Sequence, residues 1–193
     1  MSKKVLILSG SPRKGGNSDL LCDEFMRGAS ETGNQAEKIS VTEKKIGYCS
    51  ACYFCRQSNG VCAKKDDMTE ILQKMIDADV IVLASPVYFY SIDAQLKTVI
   101  DRTVARWTEV KNKEFYYIVT CADEEKESQE RTIECFRGYA DCVEVRKKWG
   151  SFTVPVYIRK ERSKTARHSR KHTGWEDLSD IQGKINSFIK PGR

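Results

Sequence analysis

Several things are missing from this 193-residue chain, and each absence narrows what it can be. It contains no apolar run of eighteen or more residues, which excludes a membrane-spanning helix. Its start, Met1-Ser2-Lys3-Lys4 ahead of Val5-Leu6-Ile7-Leu8, is too short for a signal peptide and reads as a first strand. No Gly-Lys-Ser/Thr follows the glycines of its first loop, so that loop is not an ATP loop, and the G-x-G-x-x-G spacing of dinucleotide folds is absent too. There is no second Cys/His pair to set against its cysteine stretch, the usual arrangement of a zinc site. Histidine occurs only twice, at His168 and His172, and neither is assigned a role. No internal repeat is present.

What remains is the length of one domain with a real core. Eight cysteines without a leader argue for reduced thiols used for metal or redox chemistry, and for a cytoplasmic protein. The net charge of +6 conceals a split. Residues 1–144 carry 20 basic and 23 acidic side chains, whereas residues 145–193 carry 13 and 4. Such a basic tail ordinarily points to nucleic acid or an anionic membrane.

Strands alternate with helices along the chain. Val5–Leu8 is a buried strand, Ser9–Asn17 a glycine-rich turn, and Ser18 opens an amphipathic helix fading near Gly33. A second strand fits Ala36–Val41, followed by the cysteines in an irregular loop. Asp66-Asp67 starts the next helix, with carboxylates at its positive end. The unbroken run Val80–Ala84 is expected of a central parallel strand. A helix from about Ile92 to Arg106, strand Phe115–Thr120 and a helix from about Glu127 to Cys142 complete a doubly wound α/β pattern.

Two segments carry chemistry. Strand one ends at the carboxyl edge of the sheet, where ligands bind, and small residues there let backbone N–H groups approach an anion at a helix N-terminus. Ser9, Ser11, Asn17 and Ser18 add neutral donors, and Arg13 can approach from the rim. The second segment is Cys49-x2-Cys52-x2-Cys55-x6-Cys62, half of the chain's cysteines in one short stretch. That spacing suits a cubane [4Fe-4S] cluster. A zinc site, or thiols that assemble no cluster, are the competing readings. Cys22, Cys121, Cys135 and Cys142 read as small core residues. Pro86-Val87-Tyr88-Phe89-Tyr90 follows the most hydrophobic strand and places aromatics at a ligand-facing edge.

Gly10-Ser11-Pro12-Arg13 with Asn17-Ser18, the cysteine cluster, Asp66-Asp67-Met68, and Ala84-Ser85-Pro86-Val87-Tyr88-Phe89 with Gln95-Leu96-Lys97 and Asp101-Arg102 occur in this order. Over about residues 3–144 the set resembles the flavodoxin-like NAD(P)H-dependent FMN reductases, iron–sulfur flavoprotein branch. The resemblance implies a three-layer flavodoxin-like fold with a five-stranded parallel sheet in the order 2-1-3-4-5. It implies an FMN phosphate loop of Ser9, Ser11, Pro12, Arg13, Asn17 and Ser18. Pro86, Val87, Tyr88 and Phe89 would run along the isoalloxazine ring, with Cys121 and Ala122 beneath it. Cys49, Cys52, Cys55 and Cys62 would hold the cluster. No side chain is then needed as a catalyst, because flavin N5 takes the hydride from NAD(P)H. Electrons would pass to a small acceptor or a ferredoxin-like protein, in a homodimer or homotetramer. A non-enzymatic flavin/iron–sulfur electron carrier is one alternative, and a zinc-stabilised nucleic-acid-binding module is another.

Family members of this kind continue after the fourth helix with a glycine-rich strand, roughly Tyr-Gly-Thr-Gly. Here the chain gives Val145-Arg146-Lys147-Lys148-Trp149-Gly150 and then the basic stretch. Restoring one G to the codons at Glu144/Val145 lets the shifted frame read Glu-Gly-Ala-Glu-Lys-Met-Gly-Ile-Val-Tyr-Gly-Thr-Gly-Val-Tyr-Lys-Lys-Gly-Glu-Ile. The third base of each codon is free in that exercise, but the first two are largely fixed by the residues observed. Residues 1–144 are therefore read as the FMN-binding domain, and 145–193 as a frameshift product replacing the last strand and helix. A genuine basic arm, or an ordinary last strand over Phe152–Ile158, are the rivals. Sequencing the gene across codons 140–150 is expected to reveal a single missing base; an intact frame removes the idea.

Overall fold

In the computed structural model the described residues are 2–122 and 127–143. The expected fifth strand and everything proposed for residues 145–193 lie outside them. The four apolar residues that open the chain, Val5 to Leu8, are all buried in strand β1 (Lys4–Ser9). β1 pairs in parallel with β2 (Gln35–Ser40) on one side and with β3 (Val80–Pro86) on the other. β3 pairs in parallel with β4 (Glu114–Thr120), giving the order β2-β1-β3-β4. This is the flavodoxin-like order as far as the described strands extend.

Because successive side chains of a strand point to opposite faces, β1 contributes to two cores. Val5 and Ile7 pack with Leu21, Cys22 and Phe25 of helix α1 (Asn17–Glu31). Leu6 and Leu8 face Met68, Ile71 and Met75 of helix α3 (Met68–Asp77). Helices α4 (Ala94–Arg102) and α5 (Glu127–Val143) add Leu96, Val99, Ile133 and Phe136 to that second core. The result is three layers, with β3 buried along its length between them.

Three expectations need correction. The cysteine stretch is not wholly irregular, since a turn of helix, α2 (Phe54–Gln57), lies inside it. The helix expected over 92–106 is shorter, because the Asp93 carboxylate accepts from Leu96 N–H at 2.8 Å and fixes its start. Short 3-10 turns take over from Thr103. As expected, Asp66 and Asp67 lie at the start of α3, where Asp66 accepts from Met68 N–H at 3.3 Å; in addition Asp67 accepts from Lys45 N–H at 2.7 Å and Asp66 binds Arg102. Finally, only Cys22 among the four presumed core cysteines is buried; Cys121 is partly exposed, and Cys135 and Cys142 are exposed. The buried stripe of α5 runs through Ile133, Phe136, Ala140 and Val143, so residues 135 and 142, two turns apart, share the outer face.

Two glycines predict opposite outcomes. A Cβ on Gly10 would sit 2.1 Å from Asp93 Oδ2, a buried and fully bonded carboxylate that cannot step aside. Gly10→Ala is expected to lose about 1–3 kcal/mol of stability through overpacking. Gly138, inside α5, has nothing within 4 Å of its would-be Cβ, and Gly138→Ala is expected to gain about 0.5–1 kcal/mol. Urea denaturation of both variants checks this, and equal signs would contradict it.

Candidate functional site: a carboxyl-edge cradle and a cysteine-lined cavity

The loop after β1 is held by hydrogen bonds from its main-chain N–H groups, one to the neighbouring strand and the others within the loop. Gly10 N–H donates to Ala84 O at 2.9 Å, Gly16 N–H to Arg13 O at 3.1 Å, and Arg13 N–H to Ser11 Oγ at 3.3 Å. Gly15 takes a left-handed φ of 65° and donates its N–H to Asp19 Oδ2 at 2.9 Å. No side chain caps α1 at Gly16, so the first-turn N–H groups of a fifteen-residue helix face the loop without a side-chain acceptor. Ser9 Oγ is buried and forms no hydrogen bond, although the Cys22 thiol lies beside it. Burial pushes that thiol up to about 12, so Cys22 stays neutral. An uncapped helix start and an unpartnered buried hydroxyl fit a phosphate monoester.

Of the expected phosphate residues, Ser9 and Ser18 are buried, Ser11 and Asn17 half-buried, and Pro12 and Arg13 exposed at the rim. The Ser18 hydroxyl is engaged with Thr120 Oγ1 at 2.7 Å. Thr120 also accepts Val87 N–H on its carbonyl at 2.8 Å. One residue at the end of β4 therefore joins the first loop, the Pro86–Phe89 loop and the approach to Cys121 and Ala122. Thr120 was missed by sequence reasoning because nothing in Phe115–Thr120 distinguishes it from a strand end.

Two further residues were given no role from the sequence, Ser85, which stands in the second motif, and Asp93. Asp93 is wholly buried, and its Oδ2 lies 2.8 Å from Ser85 Oγ. Ser85 Oγ also lies 2.7 Å from Pro86 O and accepts Asp93 N–H at 2.9 Å. Ser85 Oγ thus sits between the Asp93 carboxyl and the Pro86 carbonyl, with its single hydrogen available to either. Burial raises the Asp93 carboxyl above its ordinary range, against the opposing pull of Leu96 N–H and Ser85.

The second loop turns outward. Tyr88 and Ser91 exchange hydrogen bonds of 2.9 and 3.0 Å around Phe89 and Tyr90, whose φ values are 48° and 60°. This is a two-residue turn of the kind that favours Asn-Gly, filled instead by two aromatics. Phe89 is fully exposed, at 102 %, and Tyr88 and Tyr90 are exposed as well. These rings are therefore not core.

Cys49, Cys52, Cys55 and Cys62 all line one cavity of about 510 Å³, together with Arg102 and Val104. Cys49 and Cys52 are exposed; Cys55 and Cys62 are partly buried. Ala51 and Tyr53, at φ 51° and 58°, flank Cys52 in left-handed conformations. They turn the N–H groups of Phe54 and Cys52 toward the Cys52 sulfur and lower its pKa, the Phe54 N–H contributing most. Alternating handedness of this kind forms a concave nest of amides suited to anions and iron–sulfur groups. Among the described residues no three Cys, His, Asp or Glu side chains gather closely enough to hold a metal ion. Gly60, at φ 83°, reverses the chain after α2 and donates to Cys55 O at 2.9 Å. Its would-be Cβ falls 2.6 Å from Arg106 Cγ, so no side chain fits there.

Beneath the cavity lies a buried ion pair. Arg102 Nη1 and Nη2 reach Asp66 Oδ2 and Oδ1 at 2.7 and 2.9 Å, and Nη1 also donates to Gly47 O at 2.5 Å. Asp66 further accepts Gly47 N–H at 3.0 Å and Met68 N–H at 3.3 Å. Burial alone would raise the Asp66 carboxyl, but Arg102 and these amides outweigh it and hold it below the ordinary range.

A doubly wound parallel sheet in the order β2-β1-β3-β4, with a glycine-rich loop between its first strand and first helix, defines a flavodoxin-like fold. The profile of the NADPH-dependent FMN reductase family matches residues 3–153, and the chain belongs to that family. It is 45% identical over 100 residues to an iron-sulfur flavoprotein of Methanocaldococcus jannaschii, covering 52% of this chain and 51% of that protein. It is 39% identical over 101 residues to one of Methanosarcina thermophila, covering 52% of each. The chain thus spans about half the length of these curated relatives. Among solved structures, an NADH:FMN oxidoreductase superposes with a TM-score of 0.66 at 16% identity, over 97% of this chain and 89% of that one. An NAD(P)H:quinone oxidoreductase from Methanothermobacter marburgensis gives 0.65 at 16% identity, over 98% and 96%. At these identities the two structures bear on the fold alone.

Asp93 and Asp66 make opposite predictions with pH. The raised Asp93 contributes stability fully present below its unfolded pKa, about 3.9, and lost as pH rises through its folded value. Asp93→Asn keeps the helix cap and cannot ionise. Its stability relative to wild type is expected to grow as pH climbs from 4 toward neutrality, measured by denaturation at each pH. The lowered Asp66 acts the other way, its contribution disappearing as pH falls through its folded value. A flat Asp93→Asn difference would contradict the assignment.

Proposed function

We propose that this protein is an FMN-dependent oxidoreductase that takes electrons from NAD(P)H and passes them to a small-molecule or protein acceptor. A [4Fe-4S] cluster on Cys49, Cys52, Cys55 and Cys62 would serve as the second redox group. The observation that carries this reading is the cradle itself: an uncapped α1 start beside the buried, unbonded Ser9 hydroxyl. A bound flavin supplies hydride acceptance at N5. The first-loop amides and Ser9, Ser11 and Asn17 would hold the phosphate, with Arg13 at the rim. Pro86 to Phe89 would lie along the ring, and Cys121 and Ala122 beneath it. Asp93 and Ser85 would hold the two loops at fixed spacing, and Thr120 would tie both to β4.

Support for the cluster comes from the cavity and its nest of amides. Four thiols lining the walls of one space, rather than converging on a point, suit a multi-atom cluster better than a single zinc ion. The cluster-loop thiols Cys49, Cys52, Cys55 and Cys62, none of them in a disulfide, agree with a cytoplasmic protein. A homodimer or homotetramer belongs to the same reading, with the family resemblance as its support.

The test is an absorption spectrum of protein purified without oxygen, followed by mixing with NADPH. Flavin bands near about 370 and 450 nm with a broad shoulder near about 400 nm are expected. Prompt bleaching of the flavin by NADPH is expected too. A flavin that NADPH leaves oxidised would favour the pure carrier. Colourless protein that takes up zinc and binds DNA in a salt-sensitive way would overturn the reading.

A further inference from the structure

Arg102 is the least ordinary charged residue of the described structure. Its side chain is 2% exposed, and it closes the carboxyl end of α4. Two of its three nitrogens are committed, Nη1 to Gly47 O and Asp66, and Nη2 to Asp66. The third, Nε, is buried without a formed hydrogen bond. Arg102 lines the cysteine cavity together with Cys62. The Cys62 sulfur lies close enough to the guanidinium to favour its charged form, though less than Asp66 does. A buried guanidinium with one idle donor costs stability unless a further acceptor arrives.

We infer that Arg102 is a positioning residue for the cysteine-bound cluster, donating from Nε–H to the Cys62 thiolate and setting the cluster's reduction potential. The inference rests on the cluster reading above. A thiolate that ligates iron is a better acceptor than a thiol, so metal loading supplies the partner that Nε lacks. The two contacts to Asp66 fix the plane of the guanidinium, and the bond to Gly47 O anchors the chain two residues before Cys49. Hydrogen bonds to sulfur and nearby positive charge both favour the reduced, more negative state of such a cluster and so raise its potential. Asp66 moderates that charge. Removing Arg102's charge and relieving it of Asp66 should therefore move the potential in opposite directions.

The experiment reconstitutes the full chain anaerobically with iron and sulfide, counts both per chain, and measures the cluster potential by an EPR-monitored redox titration. The double variant Arg102→Gln/Asp66→Asn replaces the ion pair with a neutral hydrogen-bonded one. It is expected to disfavour one-electron reduction on the order of tenfold, which is about 59 mV. Asp66→Asn alone leaves the guanidinium uncompensated and is expected to shift the potential upward. Arg102→Lys retains charge without the Nε geometry and should fall between wild type and the double variant. It also keeps the test available should the double variant fail to fold. A merely structural fastener predicts unmoved potentials, or shifts of one sign in every variant, and either result overturns the inference. Wild-type protein that takes up no iron and sulfide would defeat the cluster itself, and the Arg102 role with it. Normal uptake with an unmoved potential would defeat the Arg102 role alone.

Discussion

The spacing of the ligand-facing loops depends on one close approach, the packing of Gly10 Cα against the buried carboxylate of Asp93. Any side chain at position 10 would occupy the space that Asp93 fills. Asp93 cannot retreat, because it starts α4 through Leu96 N–H and is bound to Ser85 at the end of β3. A glycine after β1 and an acid eight residues beyond Ser85 thus bring two loops from different strands into register. Thr120 then adds the third through its hydroxyl and its carbonyl. The sheet supplies the edge, and these polar contacts set its dimensions.

Around that edge the chain departs repeatedly from relaxed backbone. Ala51, Tyr53, Asn59, Phe89 and Tyr90 all have positive φ without being glycine. Residues held this way cost on the order of 1–3 kcal/mol each and cluster at binding sites when the surroundings over-determine them. Among the described residues they fall in the cysteine loop and the exposed aromatic turn, with Asn112 before β4 as the exception. The strands and helices beneath carry no such residue. Five of the six such residues described lie in the segments proposed to hold the redox groups, and the apolar layers on either side of the sheet offset their cost.

Much of the fold was legible in the chain, for identifiable reasons. Val80–Ala84 lacks alternation because β3 is paired on both sides and covered on both faces, and that pattern is visible without a structure. The four cysteines announce themselves by spacing. Their scaffold does not: Asp66 and Arg102 are 36 residues apart, and Asp66-Asp67 reads as the helix start it is with no sign of the guanidinium that also binds Asp66. Asp93 is hidden inside the helix expected from about Ile92, since its contact with Gly10 depends on how β1 and β3 align. Cys135 and Cys142 could have been placed correctly from helical periodicity alone, because the apolar stripe of α5 passes them by. The Phe54–Gln57 turn had no such signal, being too short for any period.

The central claim is that the concavity between β1 and α1 grips a phosphate monoester. Calorimetric titration of apoprotein with FMN and with riboflavin, which share the ring and differ by the phosphate, tests it most directly. Amides at an uncapped helix start, with Ser9 behind them, predict that FMN binds at least tenfold more tightly than riboflavin, about 1.4 kcal/mol or more. Equal affinity for the two would place the binding energy in the ring alone and contradict the account.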